Sequence, residues 1–257
     1  MRAALLRPEG LSVEDIEVPR LRAGEALVRV HAAAITRDEL TWPVDRLPAI
    51  PSYELSGVVT EVSADVSDVA AGDEVYALTP FDRDGVAAEY SAVATVVLAP
   101  RPRSLTHVES AALPLAGLSA WQGLFEHGGL REGERVRVLG ASGGVGHLAV
   151  QLAGRQLALD DEPCDLVFDT VGGEALADSV GSSAGRVVSV AEEAESATYF
   201  IVEPNRTQLI ELARLADAGE LRPAVDSVFP LGEATEAFAR VAERGKRGKV
   251  VLQVAND

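Results

Sequence analysis

The sequence predicts an α/β fold in two parts, a β-rich part followed by a parallel, doubly wound sheet. Three observations carry this. Short β-rich runs alternate with turn signals along the first part of the chain. At Arg135 the texture changes to a strand, a glycine loop and a helix. Beyond Asp165 strands and helices alternate, the pattern of a parallel sheet covered by helices.

The elements follow in order. Met1–Leu6, Ala26–Ala33, Ser56–Val62, Glu74–Leu78 and Glu89–Val93 read as strands. Turn signals such as Arg7-Pro8-Glu9-Gly10 and Ala71-Gly72-Asp73-Glu74 separate them. Ser104–Gly129 reads as helical, opened by the capping-box pair Thr106 and Glu109. Arg135–Leu139 is a strand, Gly140–Gly146 the glycine loop and Val145–Gln156 a helix. Asp165–Asp169 and Arg186–Val190 are buried-strand candidates, with a short helix at Glu174–Val180 between them. Thr198–Val202 is a further strand, and Asn205–Ala218 an amphipathic helix closed by Gly219. The tail holds Phe229-Pro230-Leu231, a helix at Gly232–Arg244 and a strand at Lys249–Val254.

Composition narrows the function classes. With 257 residues, 47% hydrophobic and 25% charged, the chain can bury a core and is not a disordered tract. No apolar run reaches the ~18 residues of a membrane span. The first twenty residues lack an apolar signal core, which points to the cytoplasm. A net charge of −17 argues against nucleic acid and anionic membrane as partners. One cysteine, Cys164, excludes a disulfide framework and a Cys-rich zinc site.

Gly140-Ala141-Ser142-Gly143-Gly144-Val145-Gly146 lies between a strand and a helix. Glycines there let backbone amides approach a pyrophosphate, and the helix N-terminus favours its charge. The same glycines also serve a tight turn needed only for packing.

With this loop in view, the chain resembles the zinc-free, quinone-oxidoreductase-like branch of the medium-chain dehydrogenase/reductase superfamily. The resemblance rests on Ala32–Leu40, Ile50–Val59, Ala112–Trp121, Val138–Ala153, Asp169–Gly173 and Arg247–Val251. It implies a GroES-like β domain from residues 1–110 and 229–257, and a Rossmann domain from 111–228. It also implies hydride transfer from NADPH to a quinone or to the β-carbon of an α,β-unsaturated carbonyl compound. The stretch where zinc-using relatives carry a histidine reads Ser52-Tyr53-Glu54. His31, His107, His127 and His147 are scattered without ligand spacing, so no zinc is expected.

A nucleotide-binding Rossmann sheet has strand order 3-2-1-4-5-6. After the glycine-loop helix only Leu157–Cys164 precedes the segment that resembles strand 4. Strands 2 and 3 with their helices need roughly 40–50 residues, and these are missing. A sheet of order 1-4-5-6 remains continuous, with strand 1 as an edge. Leu157–Leu159 is a candidate cover for that edge, with Asp160 and Asp161 as charged blockers. Asp160 falls where a ribose-binding acid is counted, but a solvated turn is the favoured reading, since the segment is too short for strand 2.

By resemblance, Gly140, Ser142, Gly143, Gly144, Val145 and Gly146 hold the pyrophosphate. Thr170, Val171, Gly172 and Ser119 lie near the nicotinamide. NADPH binding is expected to be weak or absent because the adenosine side is lost. Three glutamates in Ala191–Ala197 add like charge near a phosphate, or form a plain exposed loop. Tyr53 and Thr36 carry hydroxyls for a substrate carbonyl. Asp38 and Glu39 are acid–base candidates if desolvated; a helix-capping or surface role is the favoured reading for each. Trp42 is an apolar wall.

Two enzymatic readings stay open: a reductase with a weak cofactor grip, or a cofactor-independent enzyme doing conjugate addition, cyclisation, isomerisation or dehydration in the same pocket. A non-catalytic binding protein is the third. A homodimer is expected through the Thr198–Val202 edge, which is apolar, β-branched and aromatic.

Overall fold

The structure is a computed structural model and describes residues 1–37, 39–42, 47–158, 162–182, 185–243 and 245–255. In chain order the first strands are β1 (Arg2–Arg7), β2 (Gly10–Asp15), β3 (Glu25–Ile35), β4 (Glu54–Val62), β5 (Glu74–Leu78), β6 (Tyr90–Ala94) and β7 (Ala99–Pro100). Helices α1 (His107–Ala111) and α2 (Pro114–Trp121) lead to β8 (Val136–Leu139), α3 (Gly146–Ala153), β9 (Leu166–Asp169) and α4 (Gly173–Ser182). Then come β10 (Arg186–Ser189), β11 (Thr198–Tyr199), α5 (Arg206–Asp217), β12 (Val225–Pro230), α6 (Ala234–Ala242) and β13 (Lys249–Gln253).

One sheet runs β12-β13-β3-β4-β5-β7, with β6 also on β3. The last strands of the chain thus pair with the first ones, β13 antiparallel to β3. Val28, Val30, Leu55, Val59, Val250 and Leu252 fill its core. The β1–β2 hairpin is closed at Arg7 and Gly10, where the sequence shows only a turn.

The second sheet is parallel throughout, in order β11-β10-β9-β8. This is the 1-4-5-6 order expected from the sequence. Helices α2, α3 and α5 cover one face with Leu118, Leu148 and Leu212 against Phe168 and Leu166. The segment after α3 lies along the outer side of β8. Leu157 bridges Val136 in parallel, and the Ala158 amide donates to the Val136 carbonyl at 2.8 Å. The Arg135 guanidinium holds the Leu157 carbonyl at 2.7 Å. Leu159, Asp160 and Asp161 lie outside the described residues. Among the described residues no strand flanks the far half of β8 on this side.

Four local expectations are corrected. The 104–129 segment is not one helix: the Thr106–Glu109 capping box opens α1, α1 ends at Ala111, and Pro114 starts α2 at its first turn. Proline fits there because its missing N–H would have no partner anyway. Gln122–His127 then continues as a wider π-turn. The strand expected over Thr198–Val202 stops at Tyr199. Gln122 draws the chain away from the sheet, accepting from the Glu203 amide at 3.0 Å and donating to its carbonyl at 2.9 Å. β12 was not foreseen; it pairs in parallel with β13, and such a pairing leaves no local pattern in a six-residue segment. The tail helix begins at Ala234, after a 3₁₀ turn at Leu231–Glu233. No helix among the described residues is long and apolar enough to cross a membrane.

Candidate active site

Strand register builds the site. Val250 lies opposite Ile35 and Glu54 opposite Ala34, so Lys249, Thr36 and Glu54 meet at one end of the first sheet. The Lys249 ammonium forms an ion pair with Glu54 Oε1 and donates to Thr36 Oγ1 at 3.0 Å. Thr36 Oγ1 in turn donates to the same carboxylate oxygen at 3.3 Å. Glu54 Oε2 accepts from the Leu115 amide at 2.9 Å, an N–H in the first turn of α2. The two charged side chains are 5% and 1% exposed. At that depth each charge needs its partners, and both have them.

The lysine stem also touches the glycine loop. Lys249 Cδ lies 3.0 Å from where a Cβ on Gly144 would stand, and the Gly248 amide donates to the Ser142 carbonyl at 3.1 Å. The loop itself is tight. A Cβ on Gly146 would fall 2.1 Å from the Gly140 carbonyl oxygen, and one on Gly140 would strike Val171 and Thr170. Packing alone therefore requires Gly140 and Gly146. Thr170 Oγ1 donates to the Leu139 carbonyl at 2.7 Å. Buried Asp169 accepts from the amides of Val171 and Gly172 and from the Ser189 hydroxyl, fixing the turn that follows β9. His147 joins the loop to the chain before β12. Its Nδ1–H donates to the Gly143 carbonyl at 2.8 Å and its Nε2 accepts from the Ala224 amide at 2.9 Å. These roles need neutral imidazole, and burial lowers its pKa.

Glu39 is buried on the 3₁₀ turn after Thr36. Its carboxylate accepts from the Thr36 amide at 3.0 Å and from the Ser52 amide. Ser52 has φ +66°, a left-handed conformation unusual for a residue with a side chain, and its hydroxyl donates to the Ala34 carbonyl at 2.8 Å. Burial pushes the Glu39 carboxyl up to about 7; the Thr36 and Ser52 amides and Lys249 oppose that rise. The folded state therefore holds a proton that the unfolded chain releases near 4.5. Stability from this group is full below that pH and is lost as pH rises through about 7, by ~3 kcal/mol. Denaturant unfolding at pH 5 and pH 8 is expected to show this slope, and Glu39→Gln to flatten it. An unchanged slope in the variant would overturn the assignment.

Tyr53 sits beside this cluster, 7% exposed. Its ring stacks on Trp42 at 6.1 Å and meets the edge of Phe81 at 5.0 Å. Ser119, one helical turn beyond Leu115, is fully buried, and its hydroxyl has no hydrogen-bond partner among the described residues. The structure thus packs Trp42 against Tyr53, ties Thr36 to Glu54 and Lys249, and separately unites the Gly140, Ser142, Gly143, Gly144, Val145 and Gly146 loop with Thr170, Val171 and Gly172. Lys249 joins the two groups. Asp38 lies outside the described residues. The Thr36 hydroxyl, offered by the sequence to a substrate, is engaged with Lys249 and Glu54. Lys249 was missed as a site residue. The available signal was its rarity: lysine occurs only at 246 and 249 in a chain otherwise using arginine.

Comparison with known proteins places the fold in a family. Residues 22–103 match the alcohol dehydrogenase GroES-like domain and residues 147–252 the zinc-binding dehydrogenase domain. A probable zinc-binding oxidoreductase, mitochondrial, of Arthroderma benhamiae is 30% identical, over 95% of this chain and 92% of its own length. An NADPH-dependent alkenal/one oxidoreductase, chloroplastic, of Arabidopsis thaliana is 30% identical, over 93% of this chain and 74% of its own. The solved quinone oxidoreductase from Coxiella burnetii superposes with a TM-score of 0.89 at 26% identity, covering 99% of both chains. The Arthroderma alignment spans 307 positions, so that relative carries segments with no counterpart in these 257 residues.

The donor set does not fit a zinc ion. Glu54 is held by Lys249 and the Leu115 amide, and Glu39 by two amides. No three metal-ligating side chains converge among the described residues. By sequence and by structure, the chain belongs to the medium-chain dehydrogenase/reductase superfamily and, within it, to the quinone-oxidoreductase-like enzymes.

Proposed function

We propose that this chain is an oxidoreductase for a small α,β-unsaturated carbonyl compound or a quinone, with a weak grip on NADPH. The observation that carries this reading is an intact glycine loop on a sheet that ends at β8. One half of a dinucleotide fits the residues present. Gly140–Gly146 and the start of α3 suit a pyrophosphate, and the orphaned Ser119 hydroxyl and the Thr170–Gly172 turn suit the nicotinamide side. The other half does not fit, since among the described residues Leu157 and Ala158 alone pair with the β8 edge where an adenosine would lie. When bound, the cofactor supplies a hydride. The chain's own part is to seat the substrate against Trp42 and Phe81, with the Tyr53 phenol donating to its carbonyl oxygen as negative charge develops there. The fixed Lys249–Glu54–Thr36 cluster holds this wall against the glycine loop.

The absence of a strand beside β8 among the described residues favours a second reading, a cofactor-independent enzyme that keeps the pocket for conjugate addition, cyclisation, isomerisation or dehydration. A non-catalytic binding role is the weaker third. Incubation of an enone with the protein separates them. Conversion that depends on added NADPH supports the reductase. Conversion in cofactor-free buffer, lowered by Tyr53→Phe, supports the second reading, and no conversion under either condition supports the third.

We also propose a homodimer through the β11 edge. Tyr199 and Ile201 are 41% and 64% exposed there, while Phe200 and Val202 turn inward. Sedimentation at micromolar concentration is expected to give a dimer, and Ile201→Asp a monomer. A monomeric parent protein would remove the proposal.

A further inference from the structure

A groove of about 710 Å³ opens on the first sheet, outside the site described above. Its floor is the paired edge of β3 and β6, where Arg29 lies directly opposite Tyr90. Adjacent Glu89 ties the floor to β1: its amide donates to the Arg2 carbonyl at 3.0 Å, and its carboxylate accepts from the Arg2 amide at 2.9 Å. Val228 and Pro230 of β12 and Val254 after β13 make an apolar wall. The volume is that of sites for small organic ligands, which are commonly ~300–1,000 Å³.

Eight arginines elsewhere, among them Arg83 with Glu25, Arg186 with Glu134 and Arg240 with Asp226, have carboxylate partners among the described residues. Arg2 and Arg29 make no ion pair and no side-chain hydrogen bond there, although the chain holds 40 acids against 23 bases. Arg20, Arg103, Arg155 and Arg222 also lack an ion pair among the described residues, so what marks the groove is that two such guanidiniums line one cavity. Glu89, the acid among the lining residues, spends an oxygen on backbone rather than on either guanidinium. The Arg2 guanidinium is also placed. Its Nη2 lies 3.0 Å from where a Cβ on Gly232 would stand, so the glycine lets it lie close over the turn before α6. Two guanidiniums with their donors unspent face one cavity that also has an apolar side. Guanidinium forks match carboxylate and phosphate oxygens.

We propose that this groove binds a small organic oxyanion, its phosphate or carboxylate group held by Arg2 and Arg29 and its body laid against Val228, Pro230 and Val254. The two sources of that chemistry, a phosphate ester and a carboxylic acid, are separated by the probes. Calorimetric titrations of the full chain use phenyl phosphate, phenylacetate and inorganic phosphate at low ionic strength. Saturable binding of phenyl phosphate or phenylacetate, tighter than that of inorganic phosphate, is expected. The stronger of the two organic probes names the class. Arg29→Gln and Arg2→Gln are each expected to weaken binding about tenfold or more, as loss of a charge-assisted contact does. Gly232→Ala, which pushes on the Arg2 guanidinium and not on the backbone, is expected to weaken it too. A phosphate bound instead at the glycine loop would be untouched by all three variants. That result, or no saturable binding of any probe, would overturn the proposal.

Discussion

Calorimetric titration with NADPH is expected to give a dissociation constant in the millimolar range or no measurable heat, and NADH is expected to bind no worse. The reason lies in the sheet. In a six-stranded nucleotide-binding sheet the strand beside the glycine-loop strand carries the adenosine ribose. Here, among the described residues, that side of β8 meets Leu157 and Ala158, bridged to Val136 at the start of the strand, and the Glu162 carbonyl, which accepts from the Arg137 guanidinium. One charge-assisted hydrogen bond contributes ~1.5–3 kcal/mol, and each ~1.4 kcal/mol is tenfold in affinity. Losing two or three such bonds and a surface for the adenine takes a micromolar ligand to about millimolar. The Ala191–Ala197 segment adds to this. Glu192 already occupies the Gly173 amide at 2.6 Å, so a carboxylate stands at the start of α4 beside the nicotinamide-side turn. A dissociation constant below about 10 µM for NADPH would show the adenosine site rebuilt by other residues and would end the weak-grip reading.

Lys249→Met is expected to destabilise the protein by ~3–5 kcal/mol, because it leaves the Glu54 carboxylate buried without its cation. Glu54 is fully buried, and its remaining donors are the Leu115 amide and the Thr36 hydroxyl. The loss should show as a lower denaturant midpoint at unchanged slope. The double variant Lys249→Met with Glu54→Gln is expected to recover much of it, since the second change removes the stranded charge. The same single variant should also loosen the contact between β13 and Gly144. A midpoint within ~0.5 kcal/mol of the parent, the range of ordinary surface substitutions, would mean the pair is solvated and the cluster is not a fixed wall.

These outcomes divide between what local sequence carries and what only folding assembles. The glycine loop, the Thr106–Glu109 cap, the parallel strands β8, β9 and β10, and their order in a four-stranded sheet were all legible. Each depends on neighbours in the chain, or on a length too short for what a fold requires. Loop glycines 140 and 146 could be read because a seven-residue turn between strand and helix admits few solutions. Tyr53, Thr36 and Trp42 were named through resemblance, and the fold packs Trp42 against Tyr53 and ties Thr36 to Glu54 and Lys249.

The rest needed tertiary structure, for a common reason. The partners of Lys249 are 195 and 213 residues away in the chain, and its role follows from the β13–β3–β4 register. No neighbour in the chain reveals which residues it pairs with. Glu39 reads as a surface or capping acid until the fold removes its water and turns the Thr36 and Ser52 amides toward it. The pattern of Thr198–Val202 is that of a strand, yet Gln122, 81 residues earlier, takes the Glu203 backbone and ends the pairing at Tyr199. Local pattern thus determined which segments are strands, helices and turns, and how many parallel strands the chain could afford. Register and burial decided which charges are paired, which carboxyl keeps its proton, and where the sheet edges lie, because hydrogen bonding and desolvation act between residues that only the folded chain brings together.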